Sequence, residues 1–144
     1  MKSAQYQQIQ KETDRQWMKE WRTENEDTRK RRNIPHIITG TKLYHNIKNR
    51  KHLAWIARLW MGHCSLNKYL HRFHKIDDST CECEEREEMV EHYLLRCEKF
   101  DRQRDRLRRK VGIEGMRIEK LLGDPKLIQH TIKYIEETER FTSQ

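Results

Sequence analysis

The chain has 144 residues, of which 34% are hydrophobic and 38% are charged, and its formal net charge is +8. This length predicts one domain with extensions, and four Trp, five Tyr and three Phe exclude the composition of a disordered chain. Five Gly and two Pro are too few for a turn-rich sandwich or barrel, so an all-α fold is predicted. No apolar run is long enough for a membrane span or the core of a signal peptide, which predicts a protein that is neither membrane-bound nor secreted.

The first predicted element is a polar helix over about residues 7–25, with Trp17 and Trp21 one turn apart at its edge. A basic stretch over residues 28–41 follows, interrupted by one proline and one glycine. Residues 1–41 are therefore predicted to form a polar helix with a basic linker or arm.

Residues 42–144 are predicted to form a small helical domain. Apolar residues recur at helical spacing over residues 44–61, 65–74, 87–97, 98–111 and 125–141. Gly62 and Gly112 are expected to end two of these helices, with Ser65 as an N-cap between them. Asp124 and Pro125 are the residue types that begin a helix, and they are expected to begin the last one.

The positive charge is concentrated in the basic segment, Thr28–Ile76, which contains twelve Lys or Arg and no Asp or Glu. Its charge of +12 leaves −4 for the rest of the chain, and such an acid-free stretch predicts a polyanionic partner, most commonly RNA or DNA. The alternative is a basic surface that serves only solubility. The candidate phosphate contacts in the segment are Arg29, Lys30, Arg31, Arg32, Lys48, Arg50, Lys51, Arg58, Lys68, Arg72 and Lys75. Trp55 and Tyr69 are candidates for stacking on bases.

The segment from Cys81 to Cys97 contains three of the four cysteines, one histidine and six glutamates. Cys81 and Cys83 form a C-x-C pair, and His92 and Cys97 form an H-x4-C pair. A structural zinc site takes four sulfur or nitrogen ligands, and Cys3His is one of its standard sets. The sequence therefore predicts a closed, zinc knuckle-like Zn²⁺ site with no open position for catalysis. Free thiols are the alternative, because C-x-C is tighter than the usual spacing.

An arginine-rich helix follows the last of these cysteines. Arg96–Lys110 contains eight basic and three acidic residues, and Arg102, Arg106 and Arg109 share one face. These three arginines are further candidates for phosphate contacts. Salt bridges to Asp101 and Asp105 within the helix are an equally good explanation of its composition.

The order of these motifs resembles a known family. The stretch "IARLWMGHCSLNKYLHRF", followed by "DDSTCECEEREEMVEHYLLRCEKFDRQRDRL", is similar to the C-terminal zinc-binding tail of fungal-type non-LTR retrotransposon reverse transcriptases, the region that follows RNase H. The likeness covers roughly residues 15–140. The chain departs from the family pattern at Trp60, Met61, Met89 and Glu98.

The resemblance implies a part of a retroelement polyprotein that holds template RNA or target DNA near the polymerase, with Cys81, Cys83, His92 and Cys97 as zinc ligands. The "RKRR" block of residues 29–32 resembles a nuclear-localisation signal, although such blocks are common by chance, and the expected location is the nucleus or a cytoplasmic ribonucleoprotein. Upstream RNase H or polymerase domains would be partners.

The sequence offers no catalytic motif. It has no phosphate-binding loop and no recognisable pair of catalytic carboxylates, and Cys64 beside His63 has no third group to orient the pair. We therefore predict a non-catalytic protein without a small-molecule substrate. The alternative function is a helical protein-interaction module that packs on RNase H or another partner through Trp17, Trp21 and the last helix.

Overall fold

The computed structural model describes residues 4–24, 45–62 and 64–141, and the chain divides into two compact units, Met1–Arg32 and Asn33–Gln144. The first unit contains helix α1, Ala4–Glu24, which confirms the predicted polar helix. The side chains of Trp17 and Trp21, the basic stretch 28–41 and the predicted domain boundary after residue 41 all lie outside what the structure describes.

The second unit is built from short helices. They are α2 (Arg50–Met61), α3 (Asn67–Arg72), a π-turn (His92–Arg96), a 3₁₀ turn (Glu98–Phe100), α4 (Asp101–Val111), a second 3₁₀ turn (Ile113–Gly115), α5 (Ile118–Gly123) and α6 (Ile128–Thr138). Among the residues of this unit that the structure describes there is no strand, and an isolated β-bridge joins Thr80 to Glu87. The chain is thus mostly helical, as the sequence predicts. No helix in the described ranges has the length and apolar character needed to cross a membrane.

Helix α2 begins later than predicted. Its N-cap is Asn49, whose side-chain oxygen accepts the backbone N–H of Lys51 at 2.9 Å, so the predicted start near residue 44 is wrong. Residues 45 and 46 are helical, but residues 47–49 interrupt the helix, and Ile47 within this break is buried. The predicted end is confirmed, because Gly62 takes the left-handed conformation with φ of 67°.

Helix α3 is only six residues long, and its N-cap is Leu66 rather than the predicted Ser65. It ends at Arg72, so Phe73 leaves the helical stripe on which the sequence placed it. Leu66 is fully buried, whereas the side chain of Phe73 is 52% exposed. The prediction that Phe73 belongs to the core is therefore wrong.

The core of this unit forms where α4 and α5 pack on α6 and where α2 packs on α5. Tyr93 lies at its centre, with ring centroids 5.4–5.5 Å from those of Phe100, Tyr134 and Phe141. The Tyr134 hydroxyl donates to the carbonyl oxygen of Tyr93 at 2.6 Å, so the polar end of a buried ring is satisfied. These contacts join the π-turn to α6 and to the chain that follows it.

Two elements around α6 were missed or misplaced. Helix α5 was not predicted, because six residues are too few to show a helical period, yet Leu121 and Leu122 are fully buried. Asp124 caps the next turn as expected, accepting the N–H of Lys126 at 2.8 Å. The chain from Pro125 then makes one turn before α6 begins at Ile128, so the helix starts after the predicted position.

Candidate metal centre

The first cysteine pair lies on a tight loop, residues 80–87, which we call the cysteine loop. The β-bridge between Thr80 and Glu87 closes it, and the N–H of Cys81 donates to the carbonyl oxygen of Arg86 at 2.8 Å. Glu84 turns the chain with φ of 63°, and its N–H donates to the carbonyl oxygen of Cys81 at 2.8 Å. Local hydrogen bonds therefore fix the positions from which Cys81 and Cys83 extend.

The second pair lies at the two ends of the π-turn. The predicted α-helix from Glu87 past Cys97 is wrong, because helical structure begins at Val90, becomes a π-turn over His92–Arg96 and stops before Cys97. The N–H of Cys97 donates to the carbonyl oxygen of His92 at 2.8 Å. Residues five apart in an α-helix point about 140° away from each other, whereas an i→i+5 turn returns the chain to the same side. The wider turn is what brings His92 and Cys97 together.

The structure brings the four predicted ligands into one cluster. The Sγ atoms of Cys81, Cys83 and Cys97 and a ring nitrogen of His92 all lie within 4.8 Å of one another. The Sγ atoms of Cys81 and Cys97 are 3.6 Å apart, and Cys83 Sγ lies 3.2 Å from His92 Nε2. Cys81, His92 and Cys97 are buried, and Cys83 is half-buried. This cluster could hold a metal ion.

Burial sets the protonation states of the cluster. It raises the pKa of the Cys81 thiol, and it raises the pKa of Cys97 to about 12, with the hydrogen bond to Cys81 as a further cause. Burial also lowers the pKa of His92, which keeps the imidazole neutral. A neutral imidazole is the form that binds a metal, whereas the thiols must lose protons to do so. The buried Nδ1 of His92 has no hydrogen-bond partner among the described residues, so the ring is oriented by packing and by the contact of its Nε2 with Cys83 Sγ.

Arg104 supports the cluster from α4, a role that the sequence interpretation missed. The residue is 3% exposed, and its guanidinium donates to the carbonyl oxygen of Cys97 and, at 2.9 Å, to the carboxylate of Asp101. We expected Arg104 on an exposed arginine-rich face. The burial of Arg104 could have been predicted from its spacing. Arg104 follows Phe100 by four residues and precedes Leu107 by three, so it lies on the same face of the helix as these two buried residues.

Glu88 is the second residue that the sequence interpretation misjudged. Charged side chains in so acidic a segment would ordinarily lie in solvent, but Glu88 is 3% exposed. Its carboxylate accepts two hydrogen bonds from the guanidinium of Arg140, at 2.6 and 2.8 Å, and one from the N–H of Asn67 at 2.8 Å. The Asn67 side chain in turn donates to the carbonyl oxygen of Thr80 at 2.7 Å. One buried carboxylate thus links the cysteine loop to α3 and to the chain after α6.

The candidate phosphate contacts differ in what surrounds them. Those described in the basic segment are all exposed, and only Lys68 forms an ion pair with a described residue, Glu87 at 2.9 Å. The others are Lys48, Arg50, Lys51, Arg58, Arg72 and Lys75. On α4, Arg106 is paired with Glu137 at 3.2 Å, while Arg102 and Arg109 are exposed and form no ion pair with a described residue. Arg29–Arg32 lie outside the described ranges.

The aromatic candidates for stacking are only partly available. Trp55 is buried under the ammonium group of Lys51, which lies 5.3 Å from its ring centroid, so the expectation that Trp55 stacks on bases is wrong. Tyr69 is half-buried and packs against Phe73 at a centroid distance of 4.8 Å. Phe73 is the exposed aromatic ring of this region.

Cys64, the remaining cysteine, lies outside the cluster. It is buried, and burial raises the pKa of its thiol to about 11. A reactive cysteine needs a lowered thiol pKa and access to substrate. Cys64 has the opposite properties and packs as a core residue.

Comparison with protein-family models, with curated proteins and with solved structures found no match to this chain.

Proposed function

We propose that the cluster of Cys81, Cys83, His92 and Cys97 binds Zn²⁺ as a closed structural site. In a tetrahedral zinc site the ligand bond lengths place two sulfurs about 3.8 Å apart and a sulfur and a nitrogen about 3.6 Å apart. The corresponding distances of 3.6 and 3.2 Å are close to these values. When bound, zinc would supply a crosslink between the cysteine loop and the π-turn, and four protein ligands leave no position for a substrate.

The function that we propose for this domain is binding of RNA or DNA, mainly through phosphates. The observation that carries it is the set of exposed cations without acidic partners in the described part of the basic segment. Ordinary solvated faces pair many of their charges, as α4 does for Arg106 with Glu137 and Arg108 with Asp105, although not for Arg102 and Arg109. An unpaired set raises the local positive potential and suits a polyanion.

The resemblance to the zinc-binding tail of retrotransposon reverse transcriptases supports the same proposal. It extends the proposal to the context of the domain: a non-catalytic part of a retroelement polyprotein that contacts template RNA or target DNA. The support comes from the linked order of the α2–α3 sequence, the two ligand pairs and the basic helix.

The test is fluorescence anisotropy of labelled single-stranded RNA and duplex DNA with the zinc-loaded chain over a salt series. We expect binding that weakens steeply with salt, since each neutralised phosphate contributes about 0.7–0.9 to the slope of log K against log salt.

A triple charge reversal at Arg58, Arg72 and Lys75 should weaken binding and flatten the salt slope. The matched control reverses three exposed lysines outside the basic segment, Lys110, Lys126 and Lys133, with the same change in net charge. Equal losses of affinity in the two triple variants would mean that binding depends only on the net charge of the protein. Absence of binding at low salt would overturn the proposal and leave the protein-interaction module, whose apolar docking should not weaken with salt.

A further inference from the structure

Phe73 is an apolar ring held outside the core. It is the exposed one among the Phe, Tyr and Trp side chains described in residues 45–141, with 52% of its surface accessible. The end of α3 holds it there: the N–H of Phe73 donates to the carbonyl oxygen of Leu70 at 3.2 Å, and that of Lys75 donates to the same oxygen at 3.0 Å. The ring therefore extends from a hydrogen-bonded turn, with Tyr69 packed against it.

Two cations lie next to this ring in the chain, and one of them contacts it. The guanidinium of Arg72 lies 6.0 Å from the Phe73 ring centroid, and Lys75 follows two residues later. Both are exposed, and neither forms an ion pair with a described residue. The chain from Leu66 to Ile76 contains no Asp or Glu. An aromatic face among unpaired cations is the combination that binds single-stranded nucleic acid, because the ring stacks on a base while the cations contact the backbone phosphates.

We propose that Phe73 is a stacking platform for an unpaired base, and that the ligand of this surface is single-stranded nucleic acid. The inference rests on the proposed function and adds the substrate class. Paired bases inside a duplex have both faces covered by their neighbours, so a duplex offers phosphates to Arg72 and Lys75 but no free base face to Phe73. The preference for single strands then comes from one side chain, that of Phe73. The helical spacing of residues 65–74 would have placed this side chain on the apolar face of the helix.

The test compares two labelled strands that carry the same charge. One is an oligothymidine of about twelve nucleotides, and the other is an abasic strand with the same number of phosphates. Binding of the zinc-loaded chain is measured by anisotropy at several salt concentrations. We expect the wild-type chain to bind the base-bearing strand about tenfold more tightly, which is within the range for stacking of one base.

Substitution of the ring should remove this difference alone. Phe73→Ala should bind both strands with the affinity that the wild type has for the abasic strand and with an unchanged salt slope. Phe73→Trp should keep the preference. The matched control is Ile113→Ala, which removes another exposed apolar side chain and should leave both affinities unchanged. Circular dichroism of each variant checks that the helices remain.

The outcomes separate the two proposals. Equal wild-type binding to the two strands, or a preference that survives in Phe73→Ala, would overturn the stacking role while phosphate binding stands. Absence of binding to both strands and to duplex DNA at low salt would overturn the proposed function itself, whereas binding to duplex DNA alone would overturn only the single-strand proposal.

Discussion

At the scale of single residues, Cys97 and Cys64 are two buried cysteines with different surroundings. Cys97 is buried in a cluster whose ligand atoms lie within 4.8 Å of each other, whereas Cys64 is buried outside it. Both are small apolar side chains as far as packing is concerned. Of these two cysteines, only Cys97 should be needed for metal binding.

We therefore expect Cys97→Ser to abolish stoichiometric zinc binding and Cys64→Ala to retain it. The measurement is zinc content after gel filtration, followed by chromogenic titration of the released metal. Loss of zinc in both variants would point to global unfolding, and retention in Cys97→Ser would remove Cys97 from the ligand set.

Glu88 gives a second prediction at this scale. Because its carboxylate is buried and holds Arg140, Glu88→Gln leaves a guanidinium without its counter-charge, and breaking such a pair costs about 3 kcal/mol. Urea unfolding of the zinc-loaded protein measures the loss.

The control for Glu88 is its neighbour Glu87, whose ion pair with Lys68 is exposed to solvent. Glu87→Gln should change the free energy of unfolding far less. Similar losses of unfolding free energy in the two variants would show that burial of Glu88 does not increase its contribution to stability.

At the scale of elements, the ends of α2 and α4 use glycine for different reasons. Gly62 has φ of 67° and ψ of 7°, a left-handed conformation that asparagine also adopts. Gly112 has φ of 73° and ψ of 171°, a region that side chains with a Cβ avoid. Neither position is crowded, because a Cβ atom at either glycine would have no neighbour within 4 Å, so the backbone alone decides the cost.

We expect Gly62→Asn to cost less than about 1 kcal/mol of stability and Gly112→Asn to cost about 1–3 kcal/mol. Thermal unfolding of the two variants side by side measures this difference. Equal costs would mean that the end of α4 relaxes to another conformation when glycine is replaced.

Most helices were predictable from the sequence, since each has ten or more residues at helical spacing or a recognisable cap. The π-turn was not, because the sequence "HYLLR" has the same local pattern in either helical form. In the folded protein this turn makes contacts with other elements: Tyr93 is buried against α6, and Arg104 donates to the carbonyl oxygen of Cys97. Helix α5 was missed for the simpler reason of length.

At the scale of the whole molecule, a metal ion held by the cluster would join the cysteine loop to the π-turn, which packs on α6. Burial raises the pKa values of Cys81 and Cys97, so both are protonated near neutral pH in the metal-free protein. Zinc bound as proposed would take up the thiolates, so its binding would release these protons.

The apparent zinc affinity should therefore fall as the pH falls, because protons compete with zinc for the thiolates. Each released proton contributes about a factor of ten per pH unit, so Cys81 and Cys97 together predict about a hundredfold per unit below neutrality, and a proton released by the third thiol, Cys83, would steepen the slope further. Competition with a chelator between about pH 6 and about pH 8 measures the slope. An affinity independent of pH would contradict thiolate ligation by these two residues.

The mostly helical class, the ends of several helices and the four residues that could hold a metal could all be predicted from the amino-acid sequence. These are local properties: composition, spacing within a few turns and the chemistry of side chains close in the chain. The excess of positive charge between residues 28 and 76 is equally local.

Only the tertiary structure decided which charged residues are buried and which aromatic rings are exposed. Glu88 is buried because Arg140, 52 residues away, reaches its carboxylate. Arg104 is buried because its guanidinium donates a hydrogen bond to the carbonyl oxygen of Cys97. Phe73 is exposed because α3 ends one residue before it. Such placements depend on partners that are distant in the chain, and periodicity within one segment carries no information about them.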